Sequence, residues 1–399
     1  MSPPRSAMSP GQLTFTGVGV FLVVGAAVSM YGPLLPRLQA EFGLAPAAAG
    51  AVVSLHFAGG CVGIVLWALA EARGWARPAL VTSIGAIAVG GLLIALPSHW
   101  SAVLAGGAAL GLGYGGVVLG INRSFALGFG ARGGAMLNLV NALYGFAAIL
   151  GPLAVGAVGE SWQRLLPGLC GVLALVVLPP ALAGPMLSPV PAPTPPPPPP
   201  SEPAASAPSD HGGRRPRLPL GTAAVFMVLF LLYVSVETGA GAWIATYLSE
   251  RGYPEAAAAA WTAAFWAGLS AGRLIAIPLS VRVSPPALVL ASVLVVVIGL
   301  AGAAVPGVEP LAFGLAGLGC AAVFPGSFGW LTRAFPGAGT IGALAIGAGM
   351  GGGVLGPAVV GRAVAAVGPE AVPWALLALA GAALACVAWL ARRTRALLG

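Results

Sequence analysis

The sequence has 399 residues, of which 58% are hydrophobic and only 7% are charged. A water-soluble globule of this size cannot cover so much apolar surface with so few charges, so the composition indicates an integral membrane protein. The formal net charge is +8, and all 18 basic residues are arginines. In a membrane protein such a charge reflects topology rather than nucleic-acid binding. The four cysteines and three histidines are scattered, so we expect no metal site and no cofactor.

Twelve apolar segments follow one another along the chain, each long enough for a helix that crosses the hydrocarbon core with about 20 residues. After a short tail, residues 1–10, a first bundle occupies residues 11–185. Its predicted spans are 11–35, 47–71, 78–97, 99–122, 134–158 and 165–185. The fold class that these segments predict is all-α.

A proline-rich stretch, residues 186–218, separates the first bundle from a second one. Its composition predicts an extended linker without helix. The second bundle occupies residues 219–391, and residues 392–399 form a C-terminal tail. Its predicted spans are 219–247, 256–281, 286–306, 309–332, 338–364 and 370–391.

The arginines predict the orientation of these spans. With the N-terminus in the cytoplasm, thirteen arginines fall on the cytoplasmic side, and only Arg37, Arg164, Arg251 and Arg362 fall outside. The positive-inside rule therefore places both termini and the linker in the cytoplasm, in a multi-pass protein of the cell (inner) membrane.

The two bundles repeat one pattern. A shift of 209 residues aligns LQAEFGL (from Leu38) with YLSERGY (from Tyr247), and HFAGGCVGI (from His56) with FWAGLSAGR (from Phe265). With small slips, LGLGYGGVV (from Leu110) falls over AGLGCAAVF (from Ala316), and LGPLAVG over LGPAVVG. This order predicts two parallel six-helix repeats, an arrangement typical of major facilitator transporters.

The stretches YVSVETGAGAWIATYLSERG, FWAGLSAGR and LNLVNALYGFAAILGPLAVG resemble the seventh, eighth and fifth helices of the fucose-permease-like branch of the major facilitator superfamily. The resemblance covers the chain apart from the linker and the N-terminal tail, and it implies a sugar as cargo. The acidic residues that this branch carries in its first and fourth helices are absent, because the matching places hold Tyr31-Gly32 and GVVLGIN ending at Asn122.

Two residues are candidates for proton coupling. A charge at membrane depth is expensive and therefore suggests function. Glu237 lies in the seventh span, where a carboxylate needs either a partner or a proton. His56 lies in the second span and titrates near neutrality. A structural role remains open for both: an ion pair for Glu237 and a buried, hydrogen-bonded ring for His56.

Several polar and aromatic residues are candidates for substrate binding. Asn138, Asn141 and Tyr144 are spaced by three residues, which places them on one helix face. Amides and phenols both donate and accept hydrogen bonds, as recognition of sugar hydroxyls requires, although asparagine also joins helices. The remaining candidates are Asn122 and Tyr31, and also Trp243 and Trp266, which could stack on a sugar ring.

Five charged residues are candidates for gating or for structural contacts. The superfamily's loop motif between the second and third helices remains only as EARGWAR, with Glu71, Arg73 and Arg77. Arg123 and Arg273 could anchor helix ends, pair with carboxylates or bind substrate.

These observations predict a secondary transporter that takes up a small polar solute, a sugar first, by symport with protons. The bilayer, the solute and protons are its expected partners, and we expect it to be a monomer. The alternative is a proton-antiporting exporter of drug-like or amphipathic metabolites; an uncoupled facilitator also stays open. An enzyme or receptor is disfavoured, because no nucleophile with a base and no signalling domain is visible. The glycine runs lack the GK[ST] of a phosphate loop.

Deletion of the prolines at 195–200 tests whether the linker only joins the bundles. We expect membrane insertion and solute flux within about twofold of the wild type, because a disordered tether tolerates changes of length. Transport by the purified variant in proteoliposomes measures this. Loss of flux in correctly inserted protein would show that the linker does more.

Overall fold

The computed structural model describes residues 8–96, 99–158, 165, 168–170, 172–173, 220–335 and 339–398. The described part of the first bundle contains α1 (Pro10–Phe42), α2 (Pro46–Ala72), α3 (Ala76–Ala95), α4 (Trp100–Gly128) and α5 (Gly133–Val158). The second bundle contains α6 (Leu220–Glu250), α7 (Glu255–Ser280), α8 (Pro285–Gly302), α9 (Glu309–Cys320), α10 (Val323–Ala334), α11 (Gly339–Val367) and α12 (Ala371–Leu398). Within these residues, eleven helical spans are long and apolar enough to cross a membrane, with α9 and α10 forming one of them.

The all-helical fold class is confirmed, and eleven of the twelve predicted spans correspond to helices of the structure. The sixth predicted span, residues 165–185, lies mostly outside the described residues, as does the whole of the linker, residues 186–218. Several helices continue past their predicted ends: α1 runs to Phe42, α4 runs to Gly128, and α12 runs to Leu398 through residues assigned to the tail. The reason is that hydropathy locates the hydrocarbon core, whereas a helix can extend into water beyond it.

The ends of the first helices are set by local chemistry. The Ser9 side chain accepts a hydrogen bond from the backbone of Gln12, and the Gln12 side chain bonds back to Ser9, so α1 begins with a capping box. Gly43 (φ 61°) ends α1, and Gly252 (φ 86°) follows α6. Glycine reaches these left-handed conformations without strain. The two glycines are the pair that the 209-residue shift aligns.

Short connections make successive spans antiparallel within each bundle, with α9 and α10 counted as one span, so the structure has two ends. We call the end where α1 and α6 begin the amino-terminal side, and the end where these two helices finish the opposite side. On this definition α2 and α7 begin on the opposite side and finish on the amino-terminal side. Asn122, Asn141 and Arg333 lie toward the amino-terminal side, and Arg37 and Glu255 lie toward the opposite side.

Glycines bring α2 and α4 into backbone contact. A methyl group at Gly59 would overlap with the carbonyl oxygen of Ala108, and one at Gly63 would overlap with that of Leu112. In lipid, helices associate through such close packing rather than through apolar burial alone. Any larger residue at these two positions would push α2 away from α4.

The second bundle repeats this contact between α7 and α9. Gly268 packs on the carbonyl oxygen of Gly314, and Gly272 packs on that of Leu318. These two glycines are the 209-residue counterparts of those in α2, and they meet α9 through the shifted alignment that pairs Leu110 with Ala316. The predicted repeat is therefore confirmed at the level of individual helix contacts.

The two bundles contact each other through α1, α2 and α5 of the first and α6, α7 and α11 of the second. Gly32 faces the backbone of Gly241, and Gly156 faces Ala256 and Ala259. These contacts lie toward the opposite side, where the bundles are closely packed.

Near the middle of the membrane the contacts between the bundles become fewer. Gly60 lies near Met350, and Gly145 lies near Ser270. Among the glycines that the structure describes, none makes a close contact between the bundles nearer to the amino-terminal side. The close glycine contacts between the bundles therefore lie toward the opposite side and the middle of the helices.

Substitution of Gly111 tests the contact between α2 and α4. A methyl group there would overlap with the carbonyl group of His56, and overpacking of this kind costs about 1–3 kcal/mol. Gly111→Ala should therefore lower the thermal unfolding temperature of the purified protein in detergent. The matched control is Gly85→Ala in α3, where the new methyl group would have no neighbour within 4 Å. Equal melting temperatures for the two variants would contradict the packing argument.

Candidate functional site

Glu237 occupies the middle of α6 and is half-buried. The hydroxyl of Tyr233, four residues earlier, donates a hydrogen bond to its Oε2 atom. Residues four apart lie on one face of a helix, so the tyrosine is held directly beside the carboxylate. This pair gives the membrane interior a carboxylate with a hydrogen-bond donor already in place.

Two tyrosines of the first bundle form a second hydrogen-bonded pair. The hydroxyls of Tyr114 on α4 and Tyr144 on α5 are hydrogen-bonded to each other. Glu237 and Arg273 both lie close enough for their charges to act on these two hydroxyls. We call Tyr114, Tyr144, Tyr233, Glu237 and Arg273 the central polar group. It contains one negative and one positive charge and draws on both bundles.

Close helix packing positions the central polar group. Gly25 of α1 lies against the backbone of Tyr144, and Gly272 lets α7 approach α9 directly beside Arg273. A side chain at either glycine would displace the helix that carries the neighbouring polar residue. The arrangement therefore depends on the same glycine contacts that build the two bundles.

His56 is fully buried between α1, α2 and α4. Its Nδ1 atom lies 3.3 Å from the hydroxyl of Tyr31, and its ring lies 5.2 Å from that of Tyr114, measured between centroids. Its Nε2 atom has no hydrogen-bond partner among the described residues. His56 therefore contacts Tyr31, and its ring packs against the ring of Tyr114.

The asparagines lie nearer to the amino-terminal side. The amide nitrogen of Asn141 donates to Asn122 Oδ1 at 3.2 Å and to the carbonyl of Leu137 at 2.8 Å. Asn138 is exposed one turn before Asn141. The Asn141–Asn122 bond joins α4 and α5, as interhelical asparagines do in membranes. The contact of Asn141 with Asn122 was not predicted from the sequence, and substrate binding by Asn122, Asn138 and Asn141 stays a prediction beside their role in joining helices.

The two candidate tryptophans are buried where the bundles meet. Trp243 is fully buried, its Nε1 donates to the carbonyl of Pro357 at 3.0 Å, and its ring contacts Gly50. Trp266 lies over Gly241, and its Nε1 has no described partner. In this conformation the Trp243 ring fills the contact between the bundles and Trp266 packs on Gly241, so stacking on a sugar ring stays a prediction for another conformation.

Four of the five predicted gating residues, Glu71, Arg73, Arg77 and Arg123, lie in the first bundle, whereas Arg273 belongs to the central polar group. Arg123 Nε lies 3.0 Å from Glu71 Oε1, which ties the end of α4 to the end of α2. Arg73 donates to the carbonyl of Leu69, and Arg77 lies in the first turn of α3. The contacts of Arg123 and Arg73 stabilise the amino-terminal side of the first bundle.

An ion pair between the bundles lies on the opposite side and was not predicted from the sequence. Arg37 of α1 reaches Glu255 of α7 at 3.0 Å. Nearby, Arg251 lies 3.7 Å from Glu309 and 3.4 Å from Glu370, all within the second bundle. Each charge looked like an ordinary helix-end residue, because only the packing of the bundles makes Arg37 and Glu255 neighbours.

Sequence reasoning also missed Tyr233 and Tyr114. The signal for Tyr233 was its position four residues before Glu237. The signal for Tyr114 was its counterpart in the shifted repeat, Cys320, which also lies within range of the charges of Glu237 and Arg273. The same place in each repeat therefore points toward the centre of the protein. No group of three His, Cys, Asp or Glu side chains suited to a metal occurs in the described part of the chain.

The sequence matches the Major Facilitator Superfamily over residues 18–313, and the chain belongs to this family. The protein is accordingly a membrane transporter and not an enzyme. No curated protein sequence matches the chain.

Solved structures of transporters share the fold. A nucleoside transporter is 14% identical, with a TM-score of 0.71, over 97% of this chain and 99% of that one. An inward-open xylose transporter from E. coli is 13% identical, with a TM-score of 0.70, over 95% of this chain and 94% of that one. The fucose:proton symporter from E. coli is 16% identical, with a TM-score of 0.58, over 94% of this chain and 98% of that one. At these identities the likeness concerns the fold alone.

The pair between Arg37 and Glu255 should add little to closure of the opposite side. The Glu255 side chain is 65% exposed, and exposed ion pairs contribute about 0.2–1 kcal/mol. Glu255→Gln should therefore shift the balance toward opening by at most about fivefold. The reporter is the rate of maleimide labelling at Ala259→Cys, a buried position in the closed contact, in a background without the native cysteines.

Glu250→Gln is the matched control for this experiment, because it removes a carboxylate from the same side at a position with no described ion pair. It should leave the labelling rate unchanged. Equal rates for Glu255→Gln and Glu250→Gln would refute a contribution of the pair to closure.

Proposed function

We propose that the protein is a secondary active transporter that carries a small polar solute, with sugars as the favoured class, by symport with protons. The observation that carries this proposal is the central polar group, where Glu237 of one bundle faces a hydrogen-bonded pair of tyrosines of the other. A site shared between the bundles is what alternating access requires, since rocking one bundle against the other changes its exposure.

Alternating access is supported by the asymmetry of the contacts between the bundles. The bundles pack closely around Gly32 and Gly241, and the glycine contacts between them become fewer toward the amino-terminal side. If the positive-inside rule holds, that side faces the cytoplasm, and the conformation is open to the inside. Both termini would then be cytoplasmic, in the cell (inner) membrane. Because one chain supplies both bundles around one site, a monomer suffices for transport.

Proton coupling is assigned to Glu237. A carboxylate between mobile bundles can exchange its proton whenever water reaches it, and desolvation makes its charge costly when water is excluded. Protonation removes the negative charge and turns the acceptor of the Tyr233 hydrogen bond into a group that can also donate. The proton therefore changes both the charge and the hydrogen bonding of the site, which links it to solute binding.

A neutral polyol suits the remaining groups. Tyr114 and Tyr144 each offer one hydroxyl that donates and accepts, and Asn141 and Asn122 lie along the route from the amino-terminal side. The one carboxylate and one arginine balance each other, so the solute need not carry a charge. Two similar structures, described as a D-xylose–proton symporter and a fucose:proton symporter, favour this solute class.

His56 is assigned a supporting role. It lies behind Tyr114 and beside Tyr31 and does not reach the carboxylate directly. Through these two tyrosines it orients the side of the site formed by the first bundle. It is thus a positioning residue, with Glu237 as the titrating one.

The test is uptake of a panel of labelled sugars by proteoliposomes that contain the purified protein, with and without an inward proton gradient. We expect gradient-driven accumulation by the wild type. Glu237→Gln should abolish accumulation while retaining exchange of solute down its own gradient, because the amide cannot release a proton.

Tyr144→Phe separates solute binding from coupling. It removes a hydroxyl that we assign to the solute and should raise the KM about tenfold, in line with one lost hydrogen bond of about 1–1.5 kcal/mol, while accumulation still depends on the gradient. Absence of sugar flux under every gradient, in folded wild-type protein, would exclude sugars. Full accumulation by Glu237→Gln would exclude this residue as the proton site.

A further inference from the structure

Ser270 lies on α7, where this helix of the second bundle contacts α5 of the first. Its Oγ atom faces Gly145, and a methyl group at that glycine would lie 2.9 Å from it. The hydroxyl is buried and has no hydrogen-bond partner among the described residues, although the residue as a whole is partly exposed. Native proteins rarely bury a hydroxyl without a partner, because it gives up its hydrogen bonds to water.

Another hydroxyl of α7 shows the ordinary alternative. Thr262 donates a hydrogen bond to the carbonyl of Ala258, four residues earlier, at 2.9 Å. The same kind of bond is open to Ser270 through the carbonyl of Trp266. The Ser270 hydroxyl turns toward α5 instead and makes no bond within its own helix. It therefore stays available to a partner from outside the helix.

Ser270 lies at the depth of Glu237. The ring of Trp266 contacts Gly241 of α6, and α6 and α7 run in opposite directions. One turn from this contact toward the amino-terminal side, α6 carries Glu237 and α7 carries Ser270. The serine and the carboxylate are therefore at the same level of the membrane.

The surroundings of Ser270 are polar. Gly145, which its hydroxyl faces, directly follows Tyr144 of the central polar group. Arg273 of the same group is three residues after Ser270, on one face of α7. Four residues before Ser270 on that face, Trp266 carries an indole N–H that also has no described partner. Two unpaired donors one turn apart favour a ligand with acceptor oxygens, such as the hydroxyls of a neutral polyol.

We propose that Ser270 binds a hydroxyl group of the solute when the contact between α5 and α7 opens, and that it contributes to the choice of solute. This inference rests on the proposed function, which supplies the solute class. Alternating access separates the bundles on the opposite side and so changes the contact that buries this hydroxyl. In that conformation Ser270 faces the solute at the level of Glu237.

The experiment measures transport kinetics in proteoliposomes for the sugar of the panel with the highest flux and for its monodeoxy analogues. Ser270→Ala should raise the KM of the parent sugar about tenfold, the effect of one lost hydrogen bond, with kcat unchanged. For one deoxy analogue, the wild type and Ser270→Ala should have the same KM, because that analogue lacks the hydroxyl that Ser270 binds. A purely structural role of Ser270 would not single out one hydroxyl of the sugar.

Ser54→Ala is the matched control. The Oγ atom of Ser54 is also buried without a described partner. Gly50 and Phe57, which lie on the same face of α2, contact α6 and α11 of the second bundle. The control therefore removes an unpaired hydroxyl from a different contact between the bundles, and it should leave the KM unchanged. An equal rise of the KM in both variants would assign the effect to the balance between conformations and overturn the proposal, as would an unchanged KM in Ser270→Ala.

A labelling experiment separates this proposal from the assignment of sugars. Ser270→Cys, in a background without the native cysteines, should react with a maleimide, and the transported sugar should slow the reaction. Absence of any reaction in folded protein would show that position 270 does not reach the solute path and would overturn the proposal. Reaction in protein that takes up no sugar would exclude sugars as the solute and still place Ser270 in the path. Melting temperatures of all variants exclude misfolding as the cause of any loss.

Discussion

Close approach of helix backbones at glycine is the constraint on which the rest of this structure depends. Lipid provides little apolar driving force for helix association, so contacts must come from packing at short range. Gly59 and Gly63 supply this packing between α2 and α4, and Gly268 and Gly272 supply it between α7 and α9. The polar residues of the centre are carried by these paired helices, and their positions follow from the pairing.

The scaffold is symmetric, but its polar residues are not. The 209-residue shift pairs His56 with Phe265 and Arg273 with Ile64, so each bundle contributes a different charge or ring at equivalent places. Tyr114 and Cys320 occupy matching positions that both face the centre. A duplicated frame thus brings a phenol, a carboxylate and a guanidinium together without placing like charges opposite each other.

Closure of the opposite side rests mainly on shape. Gly32, Gly241 and Trp243 form a close contact between the bundles, and the ion pair of Arg37 with Glu255 lies at its solvent-exposed edge. Exposed pairs contribute on the order of 1 kcal/mol or less. A transporter must open and re-form such a contact in every cycle. Because the ion pair adds little stability to the closed contact, both conformations stay accessible.

Composition and segment length determined the class of this protein, because a chain with so few charges has no soluble way to bury its apolar surface. The sequence also predicted the repeat and the spans. It singled out Glu237 as a candidate, because a carboxylate within a membrane span is costly and therefore rare. The tertiary structure alone decided which groups meet, such as Tyr114 with Tyr144 and Arg37 with Glu255. The physical reason is that helix periodicity specifies the face of a residue on its own helix, whereas its neighbours on other helices depend on crossing positions that glycine packing sets in three dimensions.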